Sequence, residues 1–198
     1  PSDKSQIVFI GDDLYIPQTV NLRLGDKAIE RSPIKVVLDT IENTSEALPM
    51  RFPPLINYKD FGTVGAFGAE YSFCYDGNRF IYSFDADEDL YLTTSAHEKV
   101  EKKKAKSKYI DHVTVFRSTE GNFQKMVRAQ CEHASYGKIL YDKYRDVYYR
   151  FVYPPCDTSD YFGDYVELLR SGRKRFSIMI LDNKLNVVGE TFFPAYTY

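Results

Sequence analysis

The sequence predicts an all-β fold, antiparallel meanders stacked side by side as about three blades of a partial β-propeller. Three observations lead there. Aromatic and β-branched runs alternate with a period of two residues, short Asp/Gly/Asn stretches punctuate them, and one such unit recurs along the chain. Of the 198 residues 16 % are aromatic, with 17 Tyr, 14 Phe and no Trp, a bias that favours pleated, half-buried surface over helix.

The clearest unit spans residues 70–92. Residues 71–75 alternate large and small side chains, as a strand with one buried face would. Asp76-Gly77-Asn78 follows, a hairpin signal, because a primed turn needs positive φ and glycine adopts it cheaply. On the returning strand Phe80, Tyr82 and Phe84 share one face, and Arg79, Ile81 and Ser83 share the other. Residues 85–89 make a second turn and 90–92 a third strand. A fourth is expected at 108–110 or 113–116, which would complete a four-stranded blade.

Elsewhere, runs 6–10 and 14–16 flank Gly11-Asp12-Asp13 as a small hairpin, which Pro17 ends because it has no amide hydrogen to donate. Residues 34–39 form a strand. From 42 to 54 the chain reads as loop, with Pro49, Pro53 and Pro54 excluding helix. The glycine-rich stretch 61–68 lacks the order of a phosphate loop and reads as loop or strand. Residues 97–108 are the most polar segment, either the one plausible helix of any length or a solvated, lysine-rich excursion guarding a sheet edge. Strands follow at 113–116, 137–141, 146–153, 175–181 and 185–193. Residues 122–129 read as a short strand or helical turn, and 156–174 as loop with a helical turn at 165–169.

Laying the chain on itself pairs YDGNRFIYSF (75–84) with YDKYRDVYYRF (141–151). Tyr75 aligns with Tyr141, Asp76 with Asp142 and Arg79 with Arg145; one inserted residue then aligns Tyr82 with Tyr149 and Phe84 with Phe151. The expected organisation is a single domain, 1–198, in units of about 1–58, 59–118 and 119–198. Each unit buries part of its apolar faces and needs neighbours to cover the rest. Three units do not close a ring, so completion by further residues or by a second copy is expected.

Composition excludes several classes. A net charge of −2 gives no general field toward nucleic acid. No apolar run approaches the ~18 residues of a membrane span, and no signal-peptide pattern opens the chain. The first residue, Pro1, suggests a processed or trimmed product. Of three cysteines, Cys74 reads as a buried mid-strand thiol, whereas Cys131 and Cys156 can pair in an oxidising compartment if the fold brings them together.

No GxSxG, HExxH or P-loop pattern occurs. The run from Asp85 to Asp89 has a calcium loop's DxDxD alternation, but Leu90 stands where glycine is needed and Ala96 where the closing Glu is needed. It reads as an acidic turn. His97, His112 and His133 are scattered and read as surface residues, and Cys131-Glu132-His133 supplies two soft ligands. Asp142, Arg145 and Asp146 read as turn residues. Tyr144, Tyr148, Tyr149 and Tyr153 look exposed and suit strand packing or a partner or sugar surface. No catalytic, cofactor-binding or metal-binding residue is assigned.

The strings SPIKVV (32–37), FIYSF with LYL (80–92), KKKAKSKYI (102–110), YDKYRDVYYRF (141–151) and FSIMILDNKLNVVGE (176–190) resemble a family of bacterial envelope lipoproteins with a domain of unknown function. The resemblance implies a six-bladed propeller-like fold, export by a lipidated signal peptide and a cell-envelope or periplasmic location. It also implies that this chain is the latter part of a longer protein, and it brings no functional residues. The function expected first is a non-enzymatic module binding a protein or glycan. The alternative is a propeller-fold hydrolase acting on carbohydrate with paired carboxylates, and a third reading is a structural sector of a larger complex.

Overall fold

The computed structural model describes residues 7–18, 31–52, 71–113, 131–157 and 175–194. These hold three four-stranded sheets, each an antiparallel meander in which neighbours in sequence are neighbours in space. The first comprises β1 (Val8–Ile10), β2 (Asp13–Pro17), β3 (Lys35–Asp39) and β4 (Thr44–Ala47). The second comprises β5 (Tyr71–Tyr75), β6 (Phe80–Phe84), β7 (Asp89–Thr93) and β8 (Glu101–Lys104). The third comprises β9 (Ser135–Asp142), β10 (Val147–Tyr153), β11 (Phe176–Leu181) and β12 (Val187–Phe193). No helix among the described residues is long and apolar enough to cross a membrane.

The second sheet lies between the other two. Its period-two pattern sends Tyr71, Phe73, Phe80, Tyr82, Phe84 and Tyr91 onto Tyr15, Ile34, Leu48, Met50 and Phe52 of the first sheet and its flanks. The opposite face sends Cys74, Ile81, Leu90 and Leu92 onto Tyr136, Ile139, Tyr148, Val152, Met179 and Leu181 of the third. Every residue of β6 is therefore buried, and a two-sided strand reads as a continuous apolar run. Burying each such large side chain contributes about 1.5–3 kcal/mol. The first interface is aromatic, with the Tyr71 hydroxyl donating to the Ile34 carbonyl at 2.7 Å.

Three expectations are corrected. Segment 97–108 is neither helix nor loop throughout: Glu101–Lys104 is β8, and it supplies the fourth strand expected at 108–110 or 113–116. Pairing with β7 at Leu92↔Glu101 and Leu90↔Lys103 overrides the weak strand propensity of lysine. As a sheet edge it stays mostly exposed, the setting in which lysines discourage further pairing. The loop expected at 42–54 contains β4, a short polar edge strand exposed along its length. The expected strand at 113–116, the readings at 122–129 and 165–169 and the glycine-rich stretch 61–68 lie mainly or wholly outside the described residues.

The third correction concerns the repeat. Tyr75 pairs with Phe80 across the first turn, but Tyr141 pairs with Tyr148 across the second. The second turn is longer by two residues, not one, and Asp146 takes positive φ (54°) to close it. The structural counterparts of Phe80, Tyr82 and Phe84 are thus Tyr148, Arg150 and Val152. A shift of one residue sends Tyr149 and Phe151 to the opposite face of their sheet, away from the second sheet.

Candidate functional site

The two halves of the repeat build the same local device. Asp76 Oδ1 accepts from the amides of Asn78 and Arg79, each at 2.9 Å. Asp142 Oδ1 accepts from Tyr144 and Arg145 at 3.0 and 3.2 Å. In both turns the arginine three residues on returns to the carboxylate, Arg79 Nε to Asp76 at 2.9 Å and Arg145 Nη1 to Asp142 at 2.8 Å. Aspartate recurs here because its short carboxylate satisfies turn amides that no ladder reaches. Gly77, at φ 100°, supplies the left-handed residue of the first turn.

The copies differ in what surrounds them. The Arg145 side chain is 72 % exposed, and its pair closes on itself. The Asp76 side chain is 8 % exposed and faces the third sheet. There the Tyr148 hydroxyl donates to Asp76 Oδ2 at 2.6 Å, and Arg79 Nη2 donates to the Asn183 carbonyl at 2.6 Å and to the Tyr148 hydroxyl at 3.3 Å. Across the gap Asp146 accepts from the Tyr141 hydroxyl at 3.1 Å and from the Asn183 amide at 2.9 Å. The Tyr141 and Tyr148 rings lie 5.0 Å apart. Three hairpin turns, β5–β6, β9–β10 and β11–β12, thereby line an open cleft of about 400 Å³ with Asp76, Asn78, Arg79, Tyr141, Asp146, Tyr148 and Asn183.

Burial would raise the Asp76 carboxyl, but hydrogen bonds from Tyr148, from the turn amides and from Arg79 outweigh it and hold it below the usual carboxylate range. Burial, then the bond to Asp76, pushes the Tyr148 phenol well up. At neutral pH the cleft offers an ionised carboxylate, a guanidinium, phenols and an amide, a set suited to hydroxyl-rich ligands.

The residues weighed from sequence are dispersed. In the acidic turn Asp87 accepts from the Asp89 amide at 2.9 Å and from the Tyr91 hydroxyl at 2.6 Å. Glu88 pairs with Lys104 at 2.9 Å. Among the described residues no group of three or more His, Cys, Asp or Glu is placed to hold a metal ion. His97 is not a surface residue: it is fully buried, in contact with the Tyr82 hydroxyl through Nε2 at 2.6 Å. Of the four tyrosines, Tyr144 is 86 % exposed, Tyr148 is buried and Tyr149 and Tyr153 are half-buried. Sequence reasoning placed Asp142 and Asp146 in one turn but missed Asp76, Arg79 and Asn183 as partners. The recurring YDxxR spacing was the signal that marked Asp76 and Arg79.

An all-β chain of stacked antiparallel meanders, with a polar cleft where three hairpin turns meet, is the class that fold and site define. The chain belongs to the DUF4221 family, a domain of unknown function, whose model matches residues 1–192. It is similar to a solved member of that family from Bacteroides vulgatus, with 22 % identity and a TM-score of 0.78 over 96 % of this chain and 51 % of that one. The chain therefore spans about half the length of that relative. No match is found among curated proteins.

Proposed function

We propose that the three sheets are neighbouring blades of a propeller in a bacterial envelope lipoprotein, and that the chain is a non-enzymatic module binding a glycan in the turn-lined cleft. The observation that carries the binding reading is the Asp76–Arg79–Tyr148 network. In a paired-carboxylate hydrolase one carboxyl is held protonated, a role that the surroundings of Asp76 do not suit. The neighbouring donors and acceptors of Asn78, Tyr141, Asp146 and Asn183 match sugar hydroxyls, and Tyr144 on the same turn offers an exposed ring for stacking.

The blade reading draws support from the meander topology, from the double-sided second sheet and from an apolar groove on the outward face of the third. Leu140, Tyr149, Phe151, Ile178, Ile180 and Phe193 line that groove of about 390 Å³, where a further blade would sit. That blade comes from additional chain or from a second copy; sedimentation of this chain as monomer or dimer separates the two. Fractionation of cells making the full-length gene product tests the envelope location.

The test of the binding reading is a screen of the purified protein on immobilised oligosaccharides, followed by calorimetry on hits. Asp146→Asn keeps a residue that tolerates positive φ and removes the charge. It and Asn183→Ala are expected to weaken binding about 10-fold each, one lost hydrogen bond apiece, with a melting temperature changed only by the loss of their mutual surface bond. Binding that ignores both variants, or no glycan bound at millimolar concentration, overturns the reading.

A further inference from the structure

Cys131 and Cys156 bracket the β9–β10 hairpin, the first ahead of Ser135 where β9 begins and the second beyond Tyr153 where β10 ends. At the base of this hairpin the flanking segments meet, and the Cys156 amide donates to the Cys131 carbonyl at 3.1 Å. That bond makes the two residues direct backbone neighbours, the kind of approach that a disulfide, with Cα atoms roughly 4.4–6.8 Å apart, requires. Both thiols are free in this structure and both are buried, at 0 % and 3 % exposure. Pro154 and Pro155 precede Cys156 and restrict how its backbone can approach.

We infer that Cys131 and Cys156 are the two halves of an intramolecular disulfide that staples the base of the β9–β10 hairpin. Cys74 has no place in it: it sits mid-strand in β5, packed against the third sheet, and burial pushes its thiol far up and makes it a poor nucleophile. The chemistry is two successive exchanges with an external disulfide, of protein or small-molecule type. One cysteine thiolate attacks it, forming a mixed disulfide and releasing one thiol. The second thiolate displaces the other half, leaving the Cys131–Cys156 bond and two reduced thiols on the oxidant, which take up the two protons that the cysteines gave up. Because both sulfurs end up buried, the bond forms as the hairpin closes. In the cell it rests on the envelope location proposed above, but the test in vitro does not.

The test is oxidative refolding of the purified chain from denaturant with oxidised and reduced glutathione, then alkylation and mass spectrometry without reductant. The expected product has lost two hydrogens, keeps one alkylatable thiol at Cys74 and yields a peptide linking Cys131 to Cys156, with a higher melting temperature than the reduced form. The Cys74→Ser variant should give the same link, and Cys131→Ser should give none. A second preparation, the chain directed to an oxidising periplasm and purified without reductant, gives the same readout without refolding. Three alkylatable thiols in the periplasmic protein, or a link that uses Cys74, overturns the inference.

Discussion

Two buried basic side chains, one at each face of the second sheet, are accommodated in opposite ways. At the face toward the third sheet, Arg150 is fully buried and every guanidinium nitrogen is used. Nε donates to Ser83 Oγ at 2.9 Å, Nη1 to the carbonyls of Glu88 at 2.7 Å and Ala105 at 3.0 Å, and Nη2 to that of Asp87 at 2.6 Å. Its plane lies 3.8 Å over the Tyr136 ring. At the face toward the first sheet, Lys35 is equally buried, yet its ammonium nitrogen has no hydrogen-bond partner among the described residues. It rests 3.1 Å over the Phe73 ring, with Phe80 and Tyr82 further off at 5.1 and 5.7 Å. Burial lowers Arg150 to about 10, so it stays charged at neutral pH and carbonyl dipoles compensate it. Burial lowers Lys35 to about 6, so it gives up its proton instead. A planar fork can satisfy five donors from one position, whereas an ammonium on an aromatic face cannot.

The largest effect expected from breaking this contrast is at Arg150. Arg150→Met leaves Ser83 and the carbonyls of Asp87, Glu88 and Ala105 without that donor, and should cost about 3–5 kcal/mol in urea unfolding. Arg150→Lys keeps the charge but not the fork and should recover little. A loss below about 1 kcal/mol for the methionine variant would remove Arg150 as the clamp between the second and third sheets.

The opposite sign is expected at Lys35. Its folded pKa of about 6 lies below the ordinary 10.5, so between those values the unfolded chain binds a proton that the folded one does not. Stability from this group therefore rises with pH across that window, and the penalty is full below about pH 6. Lys35→Met, which fills similar space without charge, should stabilise the protein by roughly 1–4 kcal/mol at pH 7 and flatten that rise. His97 acts in the same sense at lower pH. Burial, and then the Lys35 charge, depress it to about 4 from 6.5, so its penalty grows as pH falls through that range. A lysine variant less stable than the parent at pH 7 would mean that the ammonium is favourably held.

The asymmetry between the two faces was illegible in sequence, and the reason is physical. Lys35 stands in SPIKVV, where a lone lysine in a strand reads as the solvent side; only stacking a second sheet over it makes it interior. The alternation of residues 71–84 was legible because both faces of β6 are filled, and each filled position shows in residue type. β8 was not, because EKKK becomes a strand through its pairing with β7 and through nothing in its own propensity. Tyr149 and Phe151 were aligned with Tyr82 and Phe84 because the two-residue lengthening of the second turn, in which Asp146 is left-handed, is not announced by composition. The cleft escaped because it is assembled from three turns far apart in the chain, although the repeated YDxxR marked one of its walls.

A smaller effect sharpens the face toward the third sheet. The β9–β10 ladder slips where Ile139 pairs with Arg150 and Tyr136 with Val152, so Gly137 and Lys138 together oppose Phe151. The bulge turns the Gly137 carbonyl to the second sheet, where it accepts from Ser83 Oγ at 2.9 Å. A Cβ at 137 would lie 2.6 Å from the Tyr153 ring. Gly137→Ala should therefore cost about 1–3 kcal/mol by displacing that ring, and an unchanged urea midpoint would show that the ring yields freely.

The smallest expected effect separates the turn network from the clamp. Tyr148→Phe keeps the packing against Tyr141 and removes the hydroxyl shared by Asp76 and Arg79, for a loss of about 1 kcal/mol. Asp76 is held below its ordinary value partly through that hydroxyl. Its stabilising contribution is therefore present above about pH 4 and is lost as pH falls through the folded midpoint. In the phenylalanine variant that midpoint should rise toward the ordinary value, as followed by NMR titration of the Asp76 carboxyl, while unfolding above pH 6 changes little. A midpoint that does not move would assign the depression to the turn amides and Arg79 alone, and would make the tie between the two turns one of packing and not of charge.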